Sequence, residues 1–265
     1  MEPALFHTIP DFVGDSLALS RRAAETDKDI IVFCGVEFMA ETANILNPNK
    51  TVLVPSDQAG CSLASSITAE DVRNLKAQYP GVPVVTYINT YADVKAECDI
   101  CCTSGNAVAV VQSLAAETII FIPDEYLAKN VARETGKRII IPSALSPVSN
   151  GVKGAQKSNG HSHSIDLKLD DTATYDFIGW HGRCEVHEKF TVQDIEAIRL
   201  QYPDVEILAH PECSPEVVAA SDYSGSTTAM IRHVEQSTAA RYLLLTECSM
   251  ADNVIASNPD KEMLR

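Results

Sequence analysis

No apolar run in the 265-residue chain approaches the roughly 20 residues needed to cross a bilayer. The opening Met1-Glu2-Pro3-Ala4-Leu5-Phe6-His7 has neither the basic start nor the apolar stretch of a secretory signal. The expectation is a cytoplasmic protein without a membrane partner. Basic residues are scarce: 21 Lys and Arg against 36 Asp and Glu leave a net charge of −15. Phosphate backbones are gripped by clustered cations, so no nucleic acid partner is expected. Neither G-x-G-x-x-G nor G-x-x-x-x-G-K-[ST] occurs, which argues against an α/β dehydrogenase or a nucleotide-dependent transferase. Eight cysteines are too sparse for a small disulfide-built domain, and no C-x-x-C pair recurs as a structural zinc site requires.

What is present reads as a globular α/β chain, 45% hydrophobic and 22% charged. Apolar runs at 30–33, 52–54, 84–87, 119–122, 139–141, 205–208 and 242–245 predict buried strands. Helix-period stretches lie between them, as at 69–79, 124–134 and 192–202. Strands that are apolar throughout and alternate with helices indicate parallel sheets covered on both faces.

The chain also repeats itself. Residues 69–131 align without gaps on 192–254, at a constant separation of 123 positions. Asp71, Gln78, Tyr79 and Pro80 fall on Asp194, Gln201, Tyr202 and Pro203; Asn130 and Val131 fall on Asn253 and Val254. A fainter copy starts at the 29–33 strand. The predicted architecture is three pseudo-threefold-related αβα units with small parallel sheets around a central cavity. Their expected ranges are 1–56 (incomplete at its beginning), 57–142 and 174–265, with a Ser-, Gly- and Lys-rich loop or linker at 143–173 that contains His161 and His163.

Parallel sheets gather ligands beyond the carboxyl ends of their strands. Tyr87-Ile88-Asn89 stands at one such end and His210-Pro211-Glu212 at the equivalent place. Ser104, read as opening a helix, matches Thr227. Hydroxyls beside free helix N–H groups can hold carboxylate or phosphate, which suits a small polyanionic substrate.

Seven segments carry a family resemblance: Gly14-Asp15-Ser16-Leu17, Phe38-Met39-Ala40-Glu41, Ala59-Gly60-Cys61-Ser62, Thr86-Tyr87-Ile88-Asn89, Cys101-Cys102-Thr103-Ser104, Cys184-Glu185-Val186-His187 and His210-Pro211-Glu212-Cys213. In order and spacing they resemble quinolinate synthase. The resemblance implies condensation of iminoaspartate with dihydroxyacetone phosphate to quinolinate, phosphate and water, in the de novo route to NAD. It also implies a [4Fe-4S] cluster and functional coupling to L-aspartate oxidase. Carried over by position, Cys61 and Cys184 are cluster ligands. Ser16, Tyr87, Asn89, Ser104, His210, Glu212 and Thr227 bind substrate, and Glu212, His210 and Tyr87 are catalytic, with Glu212 shuttling protons. The other six cysteines, Cys34, Cys98, Cys101, Cys102, Cys213 and Cys248, read as packing residues. Asp15 and Glu41 read as helix-terminus or packing contacts, and His187 either as support for the neighbouring thiol or as plain structure.

Two family features are missing, so the chain reads as truncated at both ends. His7 is not followed by Tyr two residues on, and the third cluster cysteine is expected shortly after Asn258-Pro259-Asp260-Lys261. The alternative function is a catalytically incompetent homologue or fragment that keeps the fold and binds a small dicarboxylate.

Overall fold

A computed structural model describes residues 8–142 and 176–264. In chain order the helices are α1 (Ser16–Glu25), α2 (Glu37–Leu46), α3 (Ala69–Gln78), α4 (Ala92–Ala96), α5 (Ala107–Ser113), α6 (Glu125–Thr135), α7 (Val192–Gln201), α8 (Pro215–Ala220), α9 (Thr227–Gln236) and α10 (Cys248–Ser257). The strands are β1 (Ile30–Val32), β2 (Thr51–Leu53), β3 (Val84–Tyr87), β4 (Ile100–Cys102), β5 (Ile119–Ile122), β6 (Ile139–Ile140), β7 (Phe177–Gly179), β8 (Glu206–Ala209), β9 (Tyr223–Ser224), β10 (Arg241–Leu245) and β11 (Glu262–Leu264). They form three sheets, ordered β1-β2, β4-β3-β5-β7-β6 and β11-β10-β8-β9, and every pairing is parallel.

Strand alternation sorts the apolar residues into layers. In the five-stranded sheet Val85, Tyr87, Ile119, Phe121 and Phe177 pack on one face. Val84, Ile120, Ile122 and Ile178 pack on the other. Successive side chains point to opposite faces, so a strand apolar at every position is buried on both. The four-stranded sheet repeats this, with Leu208, Tyr242 and Leu244 against Ile207, Ala209 and Leu245.

Local hydrogen bonds recur at the separations read in the sequence. Thr68 and Asp71 make a capping box at the start of α3, and Thr191 and Asp194 make one at the start of α7. Each box satisfies two N–H groups that the helix leaves free, and such caps are worth about 1 kcal/mol. Asp99 accepts from the Val84 N–H and Asp222 from the Ile207 N–H, both at 2.8 Å. At a wider separation, Lys50 donates to the carbonyls of Ala23 and Thr26 at the end of α1, as Lys261 does to those of Val234 and Ser237 at the end of α9. A cation on the last carbonyls of a helix also complements its dipole.

The structure differs from the sequence reading in four places. Ile30, Val32 and Leu53 are 61%, 60% and 47% exposed, so β1 and β2 are not buried strands. Their sheet has two strands, too narrow to cover both of its own faces. Strand β7 falls in the range assigned to the third unit but pairs with β5 and β6 of the five-stranded sheet. Ser104 does not open a helix: it lies in a turn in which Asn106 Oδ1 accepts from the Thr103 N–H, and α5 begins at Ala107. Cys34, Cys101 and Cys248 are exposed rather than packed; the expectation holds for the buried Cys102 and Cys213. The loop at 143–173 with His161 and His163, and His7, lie outside the described residues.

Candidate active site

Tyr87 ends β3 on the sheet face that also packs Leu17, Cys61 and Cys184. From there its phenol O–H donates to Glu212 Oε1 at 2.5 Å, a contact between residues 125 positions apart. Glu212 is presented by a tight turn directly after β8. The Cys213 N–H donates to the His210 carbonyl at 2.9 Å, so Pro211 and Glu212 are the central turn residues. Proline's fixed φ suits the first of those places. The Glu212 N–H donates to His210 Nδ1 at 3.3 Å, which leaves Nε2 to carry the proton of a neutral ring and to face the Ser104 hydroxyl at 3.3 Å.

The second carboxylate oxygen of Glu212 faces His187. His187 Nδ1 lies 3.1 Å from Glu212 Oε2, and Nε2 lies 3.1 Å from Thr246 Oγ1. The His187 and His210 rings stack with centroids 4.7 Å apart. His187 opens a short 3-10 turn just after Cys184. The Glu188 N–H closes back onto the Cys184 carbonyl, and the Cys184 thiol and His187 imidazole lie within 4.8 Å of one another. Cys61 heads the corresponding turn at Ala64–Ser66, and the Ser65 N–H bonds to its carbonyl at 3.0 Å as the Glu188 N–H does to that of Cys184.

Burial sets the electrostatics. It pushes the His187 pKa down most strongly, but hydrogen bonds and charge attraction from Cys184 and Glu212 prevail and raise it to about 9. His210 goes the other way: burial, joined by the positive His187, lowers it to about 4 against the opposing pull of Glu212. One ring is therefore a cation near neutral pH and its stacked neighbour is neutral. Burial raises Glu212, yet the hydrogen bond and charge of His187, with His210 and Tyr87, hold it below the usual carboxylate range. Asp124 is fully buried at the start of α6; burial and then the Glu212 charge raise it well above that range. Its Oδ1 accepts from the Leu127 N–H at 2.7 Å. Two acids in one site are thus pushed in opposite directions because one has cationic partners and the other does not. Tyr87 is pushed well above its ordinary value, by burial first and Glu212 second, and stays a donor at any ordinary pH.

The remaining expected residues fall around this core. Ser16 and Thr227 are the first residues of α1 and α9, behind the N-caps Asp15 and Ser226. Thr228 Oγ1 donates to Asp15 Oδ2 at 2.8 Å, so the two helix starts abut. A Cβ on Gly105 would sit 3.2 Å from Ser226 Oγ, which puts the Ser104 turn against the start of α9. Asn89 is half-buried in the turn after β3. Glu41 accepts from the Ala92 N–H at the start of α4, a structural contact. Sequence reasoning missed Thr246 and Asp124; the Cys184-x-x-His187 spacing was the available signal for His187.

Ligand atoms of Cys184, His187 and Glu212 all lie within 4.8 Å of one another, a donor set able to hold a metal. Thiolate with imidazole suits iron or zinc over harder cations. Cys61 is half-buried against the same core; burial raises its thiol and the Glu212 charge adds to the effect. A bound cation would reverse that preference by taking the thiolate. The residues present fit a soft metal centre. Among the described residues no helix is long and apolar enough to cross a membrane.

Comparison with known proteins gives the chain's relatives. The family profile described as NadA, quinolinate synthetase A protein, matches residues 2–265. The chain is 51% identical over 263 residues to quinolinate synthase 2 of Mesorhizobium japonicum, covering 99% of this chain and 69% of that protein. It is 52% identical over 263 residues to quinolinate synthase of Agrobacterium fabrum, covering 99% and 65%. Against quinolinate synthase of Xylella fastidiosa (strain 9a5c) it is 50% identical over 262 residues, covering 99% and 66%. The chain therefore spans about two thirds of the length of these relatives.

Proposed function

The chain belongs to the quinolinate synthetase A family, and from that premise we propose that it condenses iminoaspartate with dihydroxyacetone phosphate to quinolinate, with loss of phosphate and water. The reading is carried by the buried Tyr87–Glu212–His187 chain of hydrogen bonds beside Cys184. In this reading three αβα units, over 1–56, 57–142 and 174–265, face one central cavity, and the third unit lends β7 to the sheet of the second. An enzyme that releases iminoaspartate, such as L-aspartate oxidase, supplies the first substrate, and the chain works in the cytoplasm.

Cys61 and Cys184 would hold a [4Fe-4S] cluster together with a third thiolate that the resemblance places after Lys261. When bound, the cluster supplies a Lewis-acidic iron that polarises a substrate carboxylate or hydroxyl and assists dehydration. The chain's own residues do the rest. Ser16 and Thr227 at the abutting helix starts, and Ser104 in the turn beside them, receive carboxylate or phosphate. Asn89 and the neutral His210, through its Nε2–H, orient the substrate's oxygens. Glu212 Oε2 takes a proton from substrate carbon as the His187 bond is released, and His187 returns one to a departing oxygen. Held low by its partners, Glu212 is a weak base until substrate displaces one of them, which ties proton transfer to binding. Tyr87 keeps the other carboxylate oxygen aimed throughout.

The test is iron and acid-labile sulfide on the full-length protein that supplies the third thiolate, reconstituted without oxygen, followed by turnover. The expected result is about four of each per chain, lowered in Cys61→Ser and Cys184→Ser and unchanged in Cys34→Ser. Glu212→Gln should keep the cluster and abolish quinolinate formation. Equal iron in all the cysteine variants would remove the ligand assignment, and undiminished turnover in Glu212→Gln would remove the proton-transfer role.

A further inference from the structure

The turn that carries Glu212 is held from outside its own unit. Asn130 lies on α6, 7% exposed, among Leu127, Ala128 and Val131 of the core. Its side-chain amide reaches across to the third sheet and donates both protons: to the Pro211 carbonyl at 2.8 Å and to the Cys213 carbonyl at 2.9 Å. Those carbonyls lie on either side of Glu212. One helical turn on, Arg133 Nη1 donates to the Pro215 carbonyl at 2.7 Å. The amide orientation is fixed, because the flipped rotamer would set Oδ1 against two carbonyl oxygens. Asn130 Oδ1 itself has no hydrogen-bond partner. An unsatisfied buried acceptor is tolerated here while the donor end makes two bonds. The side chain thus gives up part of its own hydrogen bonding to clamp this one turn. The aligned residue Asn253 donates to the Ser249 carbonyl of its own helix at 2.8 Å.

We propose that Asn130 is a positioning residue for Glu212: by clamping the carbonyls before and after it, the amide fixes the carboxylate between Tyr87 and His187. The catalytic consequence rests on the function proposed above; the clamp itself does not. A carboxylate three bonds from the Cα of a loosened backbone would swing by an ångström or so, and misplacement of that size costs on the order of 100-fold in rate.

Two variants separate the clamp from simple packing. Asn130→Ala removes the amide, and Asn130→Asp keeps its size but sets an acceptor against both carbonyls. In the full chain, hydrogen exchange is measured for the peptides covering 210–215 and 241–246, with the melting temperature of each protein. The expected result is exchange roughly 10-fold faster or more at 210–215 in both variants, little change at 241–246 and a retained cooperative transition. In the reconstituted enzyme, kcat should fall about 30- to 100-fold, KM should stay within about threefold, and iron content should be unchanged. Unaltered exchange at 210–215 overturns the clamp. Faster exchange with unchanged kcat overturns the positioning role. If the unsubstituted chain makes no quinolinate, the functional reading fails, and the exchange result still decides the clamp.

Discussion

The Tyr87–Glu212 bond is the contact in the site whose strength can be worked out most directly. Tyr87→Phe deletes one oxygen and leaves the ring in its place, 5% exposed in the parent protein. The lost bond is short, 2.5 Å, and its acceptor is an ionised carboxylate only 3% exposed. His210 does not replace it, because its Nδ1 is 3.7 Å from the same oxygen and already accepts from the Glu212 N–H. A buried hydrogen bond to a charged group is worth about 1.5–3 kcal/mol, against about 0.5–1.5 kcal/mol for a neutral one. Tyr87→Phe should therefore cost about 1.5–3 kcal/mol in the parent chain and about 0.5–1.5 kcal/mol in a Glu212→Gln background. The difference, about 1 kcal/mol or more, is the coupling energy of the pair. Urea unfolding of the four metal-free proteins at neutral pH measures it, provided that the m-values agree. Because Tyr87 keeps its proton far above neutrality, the coupling should not change between pH 7 and pH 9 on the phenol's account. A coupling near zero would refute the reasoning, since it would mean that water or a rearranged neighbour replaces the phenol at no cost.

Two further predictions concern the strand-to-thiol segment at 180–184. Glu125 is buried between Lys129 at 2.6 Å and Arg183 at 3.0 Å; burial raises its pKa, but these cations outweigh burial and lower it. A carboxyl with a depressed folded pKa stabilises the fold above its unfolded value and loses that contribution as pH falls through the folded one. The stability advantage of the parent chain over Glu125→Gln should thus be full at pH 7 and vanish on acidification below about 4, as read by urea midpoints across the range; a pH-independent difference would exclude the ion pairs as its source. At Gly182 a Cβ would come within 2.4 Å of Ser66 Oγ and 2.6 Å of the Pro123 carbonyl. Gly182→Ala should therefore destabilise by about 1–3 kcal/mol through overpacking against backbone, and a thermal melt indistinguishable from the parent's would contradict that close approach.

The sequence by itself determined the parts of this protein that depend on short-range pattern. Apolar runs located β3, β5, β8 and β10 because a strand buried on both faces is apolar at every position. Helix-period stretches located α3 and α7, and in the fold each start is closed within four residues by a capping box, Thr68 with Asp71 and Thr191 with Asp194. The repeat and the seven family segments brought Tyr87, Ser104, His210 and Glu212 into one proposed site, and in the fold hydrogen bonds link them. Strands β4 and β7 carry no such run, being three residues each, the first with two cysteines and the second ending in glycine. The exposure of β1 and β2 was equally illegible, since Ile30-Ile31-Val32 reads the same whether or not another layer covers it.

Only the tertiary structure decided which groups are partners. His210 is two residues from Glu212 and looked like its companion, yet the cation on the carboxylate is His187, 25 positions away. Thr246 fixes the far side of that imidazole from β10's end, and Asn130 reaches 81 and 83 positions to clamp the turn. Local pattern reports how a segment will fold because its hydrogen bonds close within a few residues. Protonation depends instead on burial and on charges delivered by other segments. Those are set when the sheets pack, and they assign the proton to His187 while withholding it from His210.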